Sequence, residues 1–160
     1  MPYVLRPFRA GDVGWVVHRH GARYAAEYGW DWTFEAVVAE VMARYVRQFD
    51  PARENGWIAE REGAAVGSVL VVRGEAPGIA QLRVLLVEPE ARGLGIGRRL
   101  VEECLHFARE RGCARMMLST ISILVAARNI YRAAGFTLRA SEPYRAFGHD
   151  LVGETWERAL

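Results

Sequence analysis

The chain of 160 residues predicts an α/β fold: a mixed, mostly antiparallel sheet with one central parallel strand pair, flanked by helices. Residues 79–87 (IAQLRVLLV) form an almost unbroken apolar run, the pattern of a strand buried on both faces. A glycine-rich turn at 92–98 (RGLGIGR), an amphipathic segment over about 96–111 and a further strand at 114–120 (ARMMLST) follow. Strand, crossover helix and strand in that order make a parallel pair, here about 80–87 and 114–120. The remaining strands are short and joined by tight turns, which favours antiparallel neighbours.

The other elements follow from local chemistry. Tyr3 to Arg9 reads as a first strand. Asp12 can cap a helix running to about Tyr28, and Gly29 ends it. Thr33 can cap a second helix over about 34–48, with Phe34, Val37, Val38, Val41, Met42 and Tyr45 at helical spacing. Asp50-Pro51 breaks it. Residues 57–61 and 65–73 read as a hairpin turning at Glu62-Gly63, and 74–78 as a loop. Ile96, Leu100, Cys104, Phe107 and Ala108 make the inner stripe of the crossover helix, which Gly112 closes. A helix over about 123–134, a strand from Phe136, a loop over 141–150 and a last strand at 153–159 complete the chain. With no repeat or linker, 1–160 is expected to be a single domain.

Composition excludes several classes. Hydrophobic residues make up 51% and charged residues 25%, an ordinary globular balance. No apolar run approaches the ~18 residues a spanning helix needs, and the N-terminus lacks a signal-peptide core. A cytoplasmic protein away from membranes is expected. The net charge is +2 with both signs interspersed, which argues against direct nucleic acid binding. All 21 basic residues are arginine. A Walker A phosphate loop and lysine Schiff-base chemistry are thereby excluded. Cys104 and Cys113 fit no metal spacing, and His18 and His20, two apart, fall on different faces of a helix, so no metal is expected.

The glycine loop carries the functional signal. The first N–H groups of a helix lack partners and point outward together, which suits an anion. Gly93, Gly95 and Gly97 allow close backbone approach, and Arg92, Arg98 and Arg99 add positive charge. A dinucleotide fingerprint fails on spacing, because Leu100 stands where its third glycine belongs. A plain glycine turn beside solvated arginines remains the bland alternative, and another phosphate-bearing ligand a further one.

Three stretches together resemble the GNAT superfamily, the N-acetyltransferases that use acetyl-CoA. They are Arg92-Gly93-Leu94-Gly95-Ile96-Gly97, the strand end Leu85-x-Val87-x-Pro89, and the late-helix pattern of Ala127 and Tyr131 with Gly135-Phe136. The match covers about residues 55–140. WVVHRHGARYAAEYGWD, LVAARNIYRAAGF and FGHDLVGETWE are further similar to acetyltransferase domains fused behind MarR-type DNA-binding regulators, with the helix-turn-helix half absent from this chain.

The resemblance implies roles. The loop residues Arg92, Gly93, Leu94, Gly95, Ile96, Gly97 and Arg98 would hold the CoA pyrophosphate. Backbone groups of Leu85 and Val87 would pair with the pantetheine arm and polarise the thioester carbonyl, and Tyr131 would protonate the leaving thiolate. The family's usual asparagine on the cofactor arm is Leu124 here, with Asn129, Ser119 or Thr120 as replacements, and the histone-type glutamate base is Gln81. Glu27, Glu60 and His20 are the open candidates for a base. The acceptor is expected where the first two helices meet the sheet, among Tyr24, Tyr28, Trp30 and Trp32, with Tyr144, Phe147 and His149 from the late loop. Arg83, inside a strand read as buried, should pair with a core carboxylate or face an acidic substrate group.

The expected activity is direct transfer of an acetyl group from acetyl-CoA to a primary amine of a small molecule or protein, in a ternary complex. The alternative is an acyl-CoA-binding regulatory module working with a MarR-type partner. A homodimer is compatible with either.

Overall fold

Seven strands form one sheet in the order β1-β2-β3-β4-β5-β7-β6 in the computed structural model, which describes residues 2–160. The strands are β1 (Val4–Pro7), β2 (Asn55–Arg61), β3 (Ala64–Arg73), β4 (Ile79–Val87), β5 (Arg115–Ile121), β6 (Thr137–Ala146) and β7 (His149–Ala159). The helices are α1 (Asp12–Tyr28), α2 (Thr33–Arg47), α3 (Ile96–Glu110) and α4 (Val125–Ala133). Only β4 and β5 pair in parallel; the other strand pairs are antiparallel. The mixed α/β architecture is therefore the one the sequence predicts.

Two cores hold the helices to the sheet. On one face α3 inserts Ile96, Leu100, Val101 and Cys104 against Ala59, Val69, Val71 and Leu82, and the same core takes in Tyr131 and Trp156. On the other face Val16 of α1 and Val38 and Met42 of α2 cover Ile58 and Leu70. Each fully buried aliphatic side chain of this kind contributes roughly 1.5–3 kcal/mol.

The parallel contact is shorter than the sequence suggests. Pairing runs only from Ile79↔Arg115 to Gln81↔Met117. The cause lies in β4. Leu70 pairs with Arg83 but Ser68 with Leu86, so β4 carries an extra residue there. Val84 takes φ 50°, a left-handed conformation that costs a β-branched residue strain. The Ser68 hydroxyl donates to the Val84 carbonyl at 2.8 Å and fixes the bulge. A bulge bends its strand, so the end of β4 follows β3 while β5 follows β7, and a slot opens between them.

Three local expectations change. Residues 141–146 are strand, not loop: β6 runs to Ala146 and turns into β7 at Phe147-Gly148. Nearly all of β6 is exposed, so no apolar alternation announced it. Asp12 does not cap α1; it is the first helical residue, and its carboxylate accepts from the Arg9 N–H at 2.7 Å and from Arg6 at 2.8 Å. Thr33 likewise lies inside α2, and the Asp31 side chain accepts its N–H at 3.0 Å.

Candidate active site

The slot between β4 and β5 opens into two chambers. One, of about 460 Å³, lies between the end of β4, the start of α3 and α4. The other, of about 680 Å³, lies between α1, α2 and the inner faces of β4, β5, β6 and β7. Tyr24, Leu85, Leu124 and Ala127 line both, so the chambers meet there.

The smaller chamber is built around the glycine loop. Gly93 and Gly95 have φ 84° and 78°, which L side chains rarely adopt. A Cβ added at either would meet nothing within 4 Å, so the backbone faces open space. No side chain caps α3, and the Arg99 N–H bonds Gly95 O at 3.0 Å. The N–H groups of the preceding turn are thus left for a guest anion. Arg92, Gly93, Gly95, Ile96, Gly97 and Arg98 line the chamber with Leu85 and Val87. Leu94 does not; its side chain points to solvent. Asn129 also lines this chamber, whereas Ser119 and Thr120 line the other. The loop's cations already have partners: Arg92 reaches Glu27 at 3.0 Å, Arg98 reaches Glu102 at 3.6 Å and Arg99 reaches Glu103 at 3.2 Å. Such exposed pairs are weak and yield readily to a better anion.

Beyond Gln81 the β5-facing edge of β4 is unpaired. An unpaired edge beside a chamber takes an extended, amide-bearing guest as an additional strand.

The larger chamber is aromatic on one wall. Tyr24 stacks on Phe34 with centroids 4.9 Å apart, and Trp30 meets Phe34 and Phe147 at 4.9 and 5.0 Å. The β6–β7 turn is latched over this wall: His149 Nε2 meets the Gly29 carbonyl at 3.0 Å, and the Asp31 N–H donates to the Phe147 carbonyl at 3.1 Å. Of the expected acceptor aromatics, Tyr24, Trp30, Tyr144 and Phe147 line the chamber. Tyr28 lines the smaller chamber instead, Trp32 is 84% exposed, and His149 is spent on the latch.

Tyr131 is 5% exposed and lines the larger chamber, and its hydroxyl has no protein partner among the described residues. Burial pushes its pKa up, with Tyr24 and Cys104 adding to the effect, so the phenol keeps its proton.

The candidate bases separate. Glu60 is committed to Arg6 at 2.5 Å and Arg9 at 3.4 Å and lines neither chamber. Glu27 pairs with Arg23 and Arg92 beside the smaller chamber; desolvation pulls its pKa up, but these hydrogen bonds outweigh it and hold the carboxyl low. His20 does line the larger chamber. Burial pushes its pKa down to about 4, against the opposing pull of the Val16 carbonyl, which Nδ1 meets at 2.8 Å. The ring is therefore neutral. Sequence reading missed Glu154, a buried carboxylate on the larger chamber's wall. Its Oε1 accepts from Arg128 at 2.9 Å and from Trp156 Nε1 at 3.1 Å. A glutamate in an alternating terminal strand looks like a surface residue, and only the pairing of β7 with β5 turns it inward.

Arg83 corrects its expectation. It is not buried, and no core carboxylate holds it; the side chain is solvent-open on the concave wall of the larger chamber. Cys104 is buried in the α3 core with its thiol pKa raised by desolvation, and neither cysteine lines a chamber.

A family model for the acetyltransferase (GNAT) family matches residues 21–136. The chain belongs to this family, and it is an acetyltransferase that uses acetyl-CoA. It is 35% identical over 122 residues to an uncharacterised N-acetyltransferase of Schizosaccharomyces pombe, covering 76% of this chain and 73% of that protein. It is 31% identical over 103 residues to an IAA acetyltransferase of Azospirillum brasilense, covering 64% and 66%. Human N-acetyltransferase 8B is 36% identical over 84 residues, half of this chain and 37% of that protein. The fold superposes on a ribosomal-protein-alanine N-acetyltransferase from Brucella melitensis with TM-score 0.77 at 22% identity, covering 98% of this chain and 99% of that one. A Salmonella typhimurium acetyltransferase with acetyl-CoA gives TM-score 0.73 at 18% identity, covering 98% and 93%.

The residues present fit the coenzyme. The cradle that a Cβ at Gly93 or Gly95 would enter is open, and the β4 edge leading from it is unpaired. No helix among the described residues is long and apolar enough to cross a membrane, and no group of three metal-ligating side chains occurs among them.

Proposed function

We propose that the chain, acting as one domain, transfers an acetyl group to a primary amine directly within a ternary complex. The observation that carries this reading is the meeting of the two chambers at Tyr24, Leu85, Leu124 and Ala127. A donor in one and an acceptor in the other touch without a carrier residue. With Cys104 and Cys113 off both walls, the arrangement offers no covalent relay on sulfur.

In this reading the N–H groups from Gly93 to Arg98 hold the coenzyme's diphosphate, with Arg92 and Asn129 beside it, and the Leu85 and Val87 backbone holds the arm. When bound, the coenzyme supplies the activated acetyl thioester. Unpaired backbone N–H groups of the β4 edge would supply hydrogen bonds to charge on the thioester carbonyl, the place where a fixed donor is worth most. Tyr131 holds its proton on Oη and delivers it to the departing sulfur. Glu154 Oε2, free of hydrogen bonds from the described residues, holds the ammonium of the acceptor and relays its proton. Leu124 and Gln81 carry no such role.

Tyr131→Phe tests the reading. Thiol release with an amine panel is expected to fall about 100-fold or more while acetyl-CoA binding changes little. Loss of binding instead would overturn the role of Tyr131. Isotope exchange between acetyl-CoA and CoA without acceptor would sink direct transfer. Binding without thiol release from any amine would identify the module that the MarR-fusion likeness suggests.

A further inference from the structure

Arg83 is the charge that the amine-transfer reading does not use. It pairs with Leu70 in the β3–β4 register, and Leu70 packs under α1 and α2, so Arg83 projects from that same face into the larger chamber. Several arginines of the sheet and the helices on it are neutralised by the chain itself. Arg6 meets Asp12 at 2.8 Å, Arg73 meets Glu54 at 3.1 Å and Arg128 meets Glu154 at 2.9 Å. Arg19 likewise meets Glu88 at 2.5 Å. Arg83 has no ion pair or hydrogen bond among the described residues. Its nearest charged influence is Arg44 of α2, a like charge, and desolvation by the chamber wall with that repulsion lowers its pKa.

Arg83 is solvent-open, so its charge stands unpaired at little cost, and its planar fork of donors stays free for a carboxylate that enters the chamber. The opposite wall supplies the complement. Glu142 on β6 and Glu154 on β7 line the same chamber. Glu154 gives one oxygen to Arg128 but keeps Oε2 free of hydrogen bonds among the described residues, so the chamber holds an unpaired cation on β4 and acceptor oxygens on β6 and β7. The space between is walled by Tyr24, Trp30, Phe34 and Phe147. A neutral amine would leave Arg83 unanswered; a zwitterion satisfies both poles.

We propose that the acceptor is a small amine bearing a free carboxylate, the chemistry of an amino acid with an apolar side chain, and that Arg83 binds that carboxylate. The assignment rests on the amine-transfer reading. Its own content is the charge of the acceptor and the residue that reads it.

The test compares each of the apolar and aromatic L-amino acids with its primary amide, which keeps the side chain and a primary α-amine but removes the negative charge. Every kcat/KM is expressed per unprotonated amine, because the amide's amine is the less basic. Wild type is expected to favour the acids in kcat/KM for thiol release. Arg83→Gln should lower kcat/KM for the acids about 100-fold, mainly through KM, and leave the amides within about threefold. Arg83→Lys should restore part of the preference, and KM for acetyl-CoA should stay unchanged in both variants. Preference for the amides, or an equal loss for acids and amides, would overturn the proposal. A binding readout separates its failure from that of the transfer reading. N-acetyl-L-phenylalanine and its amide serve as probes in thermal shift with CoA present, a measurement that needs no turnover. The acid should stabilise wild type and not Arg83→Gln. If no amine releases thiol, the transfer reading fails, yet this selectivity still decides for or against Arg83.

Discussion

Arg92 Nη2 lies 3.0 Å from Glu27 Oε1, and this contact joins the last turn of α1 to the start of the glycine loop. The same carboxylate holds Arg23 one turn earlier. Glu27 thus organises the mouth of the smaller chamber, and with its carboxylate committed to two arginines it is expected to take no part in moving protons. Glu27→Gln is expected to leave the pH profile of kcat/KM unchanged in shape, and to alter KM for acetyl-CoA less than tenfold. A missing general base would instead cost about 100-fold to 10,000-fold and remove one limb of the profile. Steady-state rates across pH distinguish the two.

His20 makes stability depend on acid. The buried imidazole has a pKa of about 4, below the ordinary value of 6.5. Between these values the unfolded chain binds the proton that the folded chain refuses, so stability rises with pH over that window. The contribution is complete above about 6.5 and is lost as the pH falls toward 4; it amounts to about 3 kcal/mol. His20→Phe should flatten that part of the curve relative to wild type, as read by denaturant midpoints from pH 4 to 7.

Gly95 and Gly112 separate strain from ligand binding. Both have φ 78°, and an added Cβ at either would meet nothing within 4 Å. Alanine at either position should therefore cost a similar amount, roughly 1–2 kcal/mol. Only Gly95 lines the smaller chamber. Gly95→Ala should also weaken acetyl-CoA binding at least tenfold, while Gly112→Ala leaves it unchanged. Calorimetric titration of the two variants checks both halves.

These contrasts show where the sequence was legible. The loop over 92–98 could be read because its glycines serve the backbone, and the need for open space and left-handed φ is written in the residue type. α3 was readable because its buried stripe recurs at helical spacing. Arg83 was misread because strand periodicity assumes a regular strand. The bulge at Val84 bends β4 away from β5, and a position expected in the core becomes a chamber wall. The strand from Phe136 was expected, but its continuation over 141–146 was read as loop because a strand exposed on both faces has no apolar period to show. Tyr28 and Trp32 share composition with Tyr24 and Trp30, and only the path of the α1–α2 connection sends them elsewhere.

Glu154 presents the sharpest conflict between stability and chemistry. It stands opposite Thr120 in the β5–β7 register, buried, with one oxygen shared by Arg128 and the Trp156 indole N–H. Glu154→Leu would strand both donors, and breaking a buried pair by removing one partner costs far more than the pair is worth. Since Arg128 keeps some solvent contact, the loss should be about 2–4 kcal/mol, at the lower edge of that range of effects. Arg128→Leu in the same chain should return part of it, because the unpaired cation disappears. Glu154→Gln separates the other role. Its amide oxygen still accepts from the indole, so melting should stay near that of wild type. It cannot hold a proton, so kcat should fall about 100-fold if the carboxylate relays one. A folded Glu154→Gln with normal turnover would leave Glu154 as a structural strut and return the proton to solvent.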